Sequence, residues 1–183
     1  MTIRLQLFAP PYRTNCLTLF FFICVCLFPW TPVLSATPIE NDPKGFYGSL
    51  WGHSLQDRTD LEEIDSIDSL HIYTIKHGPP QLGSIELESV KLYTLDGKYA
   101  RALFHYQGEA NHKAILQYLR NEFGKTNDPY GSMIRGLNQQ YTWRGPETEI
   151  TLTYHGFRER GTLTVEGRIY APLFLDTLSE NSY

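Results

Sequence analysis

Beyond residue 36 the chain has no cysteine; Cys16, Cys24 and Cys26 all precede that point. No disulfide can staple the remainder, so its stability must come from a packed apolar core. Cysteine nucleophiles and thiolate zinc sites are excluded with it. Residues 1–36 in turn lack any acid. Nowhere is there a charge-free apolar run of the roughly 20 residues a helix needs to cross a hydrocarbon core. HExxH, GxSxG, P-loop and dinucleotide glycine patterns are all absent. Positive charge is scarce as well. With Arg4 and Arg13 set aside, 14 basic and 20 acidic side chains remain, a net of −6. That balance argues against nucleic-acid binding, which needs a positive field.

What is present begins with a targeting pattern. Arg4 and Arg13 precede the apolar stretch Leu17–Phe28, and Pro29-Trp30 breaks it. Small residues at Ser35 and Ala36 then offer a signal-peptidase site. Residues 1–36 are expected to be a signal peptide cleaved after Ser35 or Ala36, which places the protein in the periplasm or outside the cell. The alternative is an uncleaved anchor lengthened through Leu34, the one route by which the chain would contact a membrane. Residues 37–44, with Pro38 and Pro43, suggest a flexible lead-in. Residues 45–170 are expected to form a single α+β domain, and 171–183 a tail from which Leu173, Phe174 and Leu175 can dock back.

The domain is organised around Ser89–Gly124. Val90, Leu92 and Thr94 alternate with Lys91, Tyr93 and Leu95, the period of a strand. Asp96-Gly97 tolerates the positive φ angles of a type I′ hairpin turn. The return strand, Tyr99–Tyr106, places Ala100, Ala102, Phe104 and Tyr106 on one face and Tyr99, Arg101, Leu103 and His105 on the other. Asn111 is the expected N-cap of a helix over 111–123. In it Ile115, Leu116, Leu119 and Phe123 form the apolar stripe, with His112 outside it, and Gly124 ends it. Such a helix folds back over the sheet.

Elsewhere, Phe46–Gly52 reads as a buried edge strand and Ser54 as the cap of a short helix, Leu55–Glu63. The acids Asp57, Asp60, Glu62, Glu63, Asp65 and Asp68 lack the central glycine of a calcium loop and suit a solvated helix face. Leu70–His77 predicts a strand, Gly78-Pro79-Pro80 a turn, and Leu82–Leu95 one long strand with a bulge near Ser89. Lys125–Gly136 is a loop. Gln139–Arg144, Thr148–His155 and Thr162–Ile169 complete the sheet, with Ile150, Leu152, Tyr154, Leu163 and Val165 inward. The expectation is a curved antiparallel sheet of about five to six strands, with the main helix and the short N-terminal helix packed on it.

Candidate chemistry is sparse. None of the six histidines (His53, His71, His77, His105, His112, His155) has the spacing of a zinc helix. The pairs Glu86/Glu88 and Glu147/Glu149 are ordinary solvent-facing strand acids. No metal and no cofactor is implied. A face built from Tyr93, Tyr99, His105, Tyr141 and Trp143 is the best ligand or partner surface, because such rings bury large area while keeping a polar handle. The leading reading is a non-enzymatic binding or assembly module of the bacterial envelope, joined to a protein partner or a second copy through a free strand edge. The alternatives are a periplasmic hydrolase using His77 or His105 with nearby acids, and a membrane-anchored envelope subunit.

Trp51-Gly52, Asp96-Gly97-Lys98, the helix ending at Phe123-Gly124, and Trp143-Arg144-Gly145-Pro146-Glu147-Thr148-Glu149-Ile150-Thr151-Leu152 occur in that order. Over residues 46–166 this resembles a loose group of short exported bacterial proteins of unknown function. The resemblance implies an exported α+β domain and brings no catalytic residues.

Overall fold

The computed structural model describes residues 36–126 and 138–174. The expected signal segment, most of the loop before Gly136 and the end of the tail lie outside them. In chain order the elements are β1 (Thr37–Pro38), β2 (Gly45–Phe46), β3 (Ser49–Leu50), β4 (Leu61–Ile67), β5 (Leu70–Ile75), β6 (Gln81–Leu82) and β7 (Ile85–Glu86). Then come β8 (Ser89–Leu95), β9 (Lys98–Gln107), α1 (Glu109–Phe123), β10 (Asn138–Arg144), β11 (Thr148–His155) and β12 (Arg160–Gly167).

The α+β character with a mostly antiparallel sheet holds, but the expected five-to-six-strand sheet does not. One eight-stranded mixed sheet runs β1-β10-β11-β12-β9-β8-β5-β4, and β2–β3 and β6–β7 form separate two-stranded sheets. The mixed character comes from β1, which pairs parallel with Trp143 and Arg144. The segment expected as a flexible lead-in is thus hydrogen-bonded into the sheet edge. Asp42 continues the attachment by accepting from the backbone amides of Glu147 and Thr148, at 2.6 and 3.1 Å.

The short N-terminal helix is also absent. Ser54 Oγ accepts from Gln56 N at 3.2 Å, a local turn that competes with helix. Arg58 then forks onto Asp60, and Leu61–Ile67 pairs with β5 as the last strand of the sheet. The acids read as a helix face lie on and beside an edge strand instead. Leu82–Leu95 is not one long strand either. Gly83, with φ 61°, sits in the tight β6–β7 hairpin, and β8 starts afresh at Ser89.

The central hairpin forms as its sequence demands, with φ of 50° at Asp96 and 72° at Gly97. One detail inverts the expected faces. Thr94 pairs with Tyr99 while Tyr93 pairs with Arg101, so Ala100 is an extra residue in a bulge. The bulge turns Tyr99 onto the same face as Ala102, Phe104 and Tyr106. Ala100 goes to the opposite face, against Leu70, Leu95 and Phe174.

Helix α1 begins at Glu109, with Gly108 at φ 90° in the cap position expected for Asn111. Glu109 favours that start, because a carboxylate suits the helix N-terminus and it pairs with Lys113 at 2.7 Å. Asn111 lies within the first turn and donates from Nδ2 to Gln107 O. The buried stripe is His112, Ile115, Leu116, Leu119 and Phe123. It closes the inner sheet face over Val90, Leu92, Phe104, Trp143, Ile150, Leu152, Leu163 and Val165. No helix of the described residues is long and apolar enough to cross a membrane.

The ordered marks of the resemblance gain a physical role here. Trp143 Nε1 donates to Gly124 O at the helix C-terminus, at 3.0 Å. Trp51 Nε1 donates to Thr148 Oγ1 at 2.8 Å, and its ring lies 4.8 Å from that of Tyr99. A Cβ on Gly145 would strike the Asp42 carboxylate. These residues tie the lead-in, the helix end and the β10–β11 turn into one knot.

Candidate functional site

The five residues expected to share a ligand face are divided by the sheet. Tyr99, Tyr141 and Trp143 lie on the inner face and are buried in the core. Tyr93 and His105 lie on the outer face, half-exposed. Burial pushes the Tyr99 phenol far above its usual range, so it serves as a neutral donor, to Phe46 O at 3.2 Å. The ring of Tyr93 meets Phe174 edge-on at 6.2 Å, and the Arg101 guanidinium caps that same phenyl at 3.9 Å. Half of the expected outer surface is thereby occupied by the chain's own C-terminal segment.

His105 has one neighbour of chemical interest. Its Nδ1 lies 3.0 Å from Ser89 Oγ on the adjacent strand, the reach of a nucleophile and base. Burial and the nearby Lys91 hold the imidazole below the usual histidine range, so it is neutral at pH 7. A working dyad also needs an orienting acid and donors for an oxyanion. Glu88, the acid that acts on His105, extends its carboxylate to Arg160 at 3.5 Å. The pair sits on a flat sheet face and lines neither described cleft. It makes a polar rung between strands. His77, the other candidate base, lies exposed beyond the end of β5. Among the described residues no three histidines, cysteines or acids converge as a metal site would require.

One cleft of about 510 Å³ opens between the β2–β3 and β6–β7 hairpins, with Tyr118 of α1 alongside. Arg58 fixes one wall by donating to Tyr47 O and Ser49 Oγ, at 3.2 and 2.8 Å. The lining is Phe46, Tyr47, Leu50, Leu82 and Tyr118 with Ser49 and three glycines, and Lys44 is its single charge. It offers surface for contact without the convergent polar groups that orient a substrate.

The edge strand β4 is the better-defined feature. Six of its seven residues are exposed. One side pairs with β5, and among the described residues no strand pairs with the other. Ile64 at 48% and Ile67 at 44% exposure are apolar side chains left in water. Glu63 turns to His71 Nδ1 at 3.0 Å, while Glu62 and Asp65 have no ion pair among the described residues. The bulge between Glu63 and Asp65 centres on Ile64. At the opposite edge, β1 covers only the end of β10.

Sequence reasoning overlooked a second group. His112 is 3% exposed and stacks on Tyr154 at 4.4 Å with the planes 12° apart. It touches Tyr106, Gln139 and Tyr141 as well. Its spacing of three and four before Ile115 and Leu116 was the available signal, because it continues the buried stripe. No family model, curated protein or solved structure matches this chain, so the functional reading rests on its own geometry.

Proposed function

We propose that the protein is a non-enzymatic binding module of the bacterial envelope, exported by its N-terminal segment, that receives an extended segment of a partner protein along β4. The observation that carries this reading is the exposed seven-residue edge with Ile64 and Ile67 in solvent. Unpaired backbone groups on such an edge accept a further strand, and side chains at alternate positions select it. The acids choose between the two expected occupants. Antiparallel pairing of β4 with its own copy would bring Glu62, Glu63 and Asp65 of both chains together, and facing like charges destabilise a sheet. A partner strand bearing lysine or arginine beside apolar residues meets no such penalty. The fitting occupant is therefore a basic, apolar-alternating segment, not a second copy.

The test is titration of the isotopically labelled protein with a synthetic peptide of alternating lysine and isoleucine, monitored by amide shifts. The expected changes fall on β4 and β5, weaken with salt and disappear in a Glu62→Lys, Asp65→Lys double variant. Shifts centred elsewhere, binding indifferent to the charge reversal, or a β4-mediated dimer in sedimentation would each overturn the proposal.

A further inference from the structure

The cleft beside Tyr118 takes no part in strand addition on β4, and its lining has a chemical bias. Its volume of about 510 Å³ falls within the roughly 300–1,000 Å³ that small-molecule sites occupy. Hydrocarbon and rings dominate the walls, from Phe46, Tyr47, Leu50, Leu82 and Tyr118. Leu50 is 51% exposed, so an apolar side chain of the lining is left in water. Lys44 is the one charged residue of the lining; it is exposed and has no ion pair among the described residues. Among the described residues no carboxylate lines the cleft. Glu122 acts on the Tyr118 phenol from the same helix but lies outside the lining.

The fold holds these walls in place. Tyr47 and Gly48 form the β2–β3 turn at φ of 52° and 80°, the paired positive angles of a type I′ hairpin. The Tyr47 ring meets Phe104 edge-on at 5.5 Å, and its phenol engages the Gln81 backbone of the facing hairpin. Phe46 packs against Phe104 and Phe123, at 5.7 and 6.5 Å, so the lining is continuous with the core. Arg58 stiffens one wall from behind. Its guanidinium is committed to Asp60, Tyr47 O and Ser49 Oγ, and is not open to a ligand. Burial raises the Tyr47 and Tyr118 phenols, which therefore stay neutral. Lys44 is left as the one cation a ligand can meet.

We propose that this cleft binds a single-chain amphiphilic carboxylate, its hydrocarbon against Leu50, Leu82 and the tyrosine rings and its carboxylate on the Lys44 ammonium. An apolar lining with one exposed cation rewards a ligand that is apolar along its length and anionic at one end. A sugar or a dianion would surrender water without finding hydrogen-bond partners in these walls. An amphiphilic cation would be repelled by Lys44. An uncharged chain gains the same burial and forgoes the ion pair. The ligand is held and released with no bond made or broken. The cleft is separate from β4, so this site and strand addition stand or fall independently.

The experiment follows amide shifts of the isotopically labelled protein during titration with octanoate, decanoate and dodecanoate, each kept below its micelle concentration. Decanol and decyltrimethylammonium serve as the uncharged and cationic controls. The expected shifts fall on Leu50, Leu82, Gly83 and Tyr118 while β4 and β5 stay still. Affinity should rise about two- to fourfold for each added methylene, as hydrocarbon leaves water. Lys44→Gln should weaken decanoate about two- to fivefold and leave decanol unchanged. Leu50→Asp, which sets a carboxylate in the cleft, should abolish carboxylate binding. Both positions are exposed, so the fold should survive either change, and the amide pattern of the main sheet checks that it does. Shifts centred elsewhere, affinity indifferent to chain length, decanoate bound no better than decanol or decyltrimethylammonium, or equal loss of decanoate and decanol in Lys44→Gln would each overturn the proposal.

Discussion

Gly161→Ala isolates the contact on which the inner face depends. Gly161 pairs across the sheet with Tyr106, and a Cβ there would enter the Tyr106 ring. The glycine backbone is outside the positive-φ region, so alanine brings no conformational strain of its own. The ring cannot yield cheaply. It is fully buried, and its hydroxyl is engaged by Thr153 O and His112 Nδ1. Overpacking typically costs about 1–3 kcal/mol, and each disturbed hydrogen bond adds about 1 kcal/mol. The expected loss is about 2–5 kcal/mol, or roughly 5–15 °C in Tm for a domain of this size. Urea unfolding followed by circular dichroism measures it. A double-mutant cycle with Tyr106→Ala supplies the decisive comparison, because without the ring the added methyl should cost less than about 1 kcal/mol. Equal cost in both backgrounds would refute the reasoning and show that the glycine serves some other purpose.

Two further outcomes follow from the packing. Leu119→Ala empties a fully buried position under α1 and should cost about 2–5 kcal/mol in denaturant unfolding, with the helical signal melting together with the sheet. Phe174→Ala should cost less, about 1–3 kcal/mol, because Phe174 packs into the small outer-face cluster of Leu70, Leu95 and Ala100 and not into the main core. Amide hydrogen exchange should then rise at Tyr93 and Ala100 while the inner face stays protected.

Local patterns that agree with themselves were legible in the sequence. Thr148–His155 is a strand with the expected ends and inward residues, because alternation and flanking turns point the same way. Asp96-Gly97 likewise dictated its turn. The bulge at Ala100 was not legible, since nothing in YARALFHY signals an added residue; pairing with β8 and the fit of Phe174 decide it. That single residue moved Tyr99 from an expected surface into the core. The DLEEIDSI stretch misled for another reason. Acidic residues at mixed spacing suit a solvated helix and an exposed edge strand alike, and only β5 alongside settles the matter. His112 was set aside as polar although its position belongs to the apolar stripe. Polarity outweighed spacing in that reading, and Tyr154, whose ring stacks on the imidazole, comes from a strand distant in sequence.

The attachment of residues 37–42 bears on where the backbone tolerates a break. Thr37 and Pro38 are the eighth strand, and Asp42 holds the amides of Glu147 and Thr148. Loss of Thr37 and Pro38 would remove the parallel pairing with Trp143 and Arg144. A cut a few residues later would unpick the sheet margin at Trp143 and release the turn that follows it.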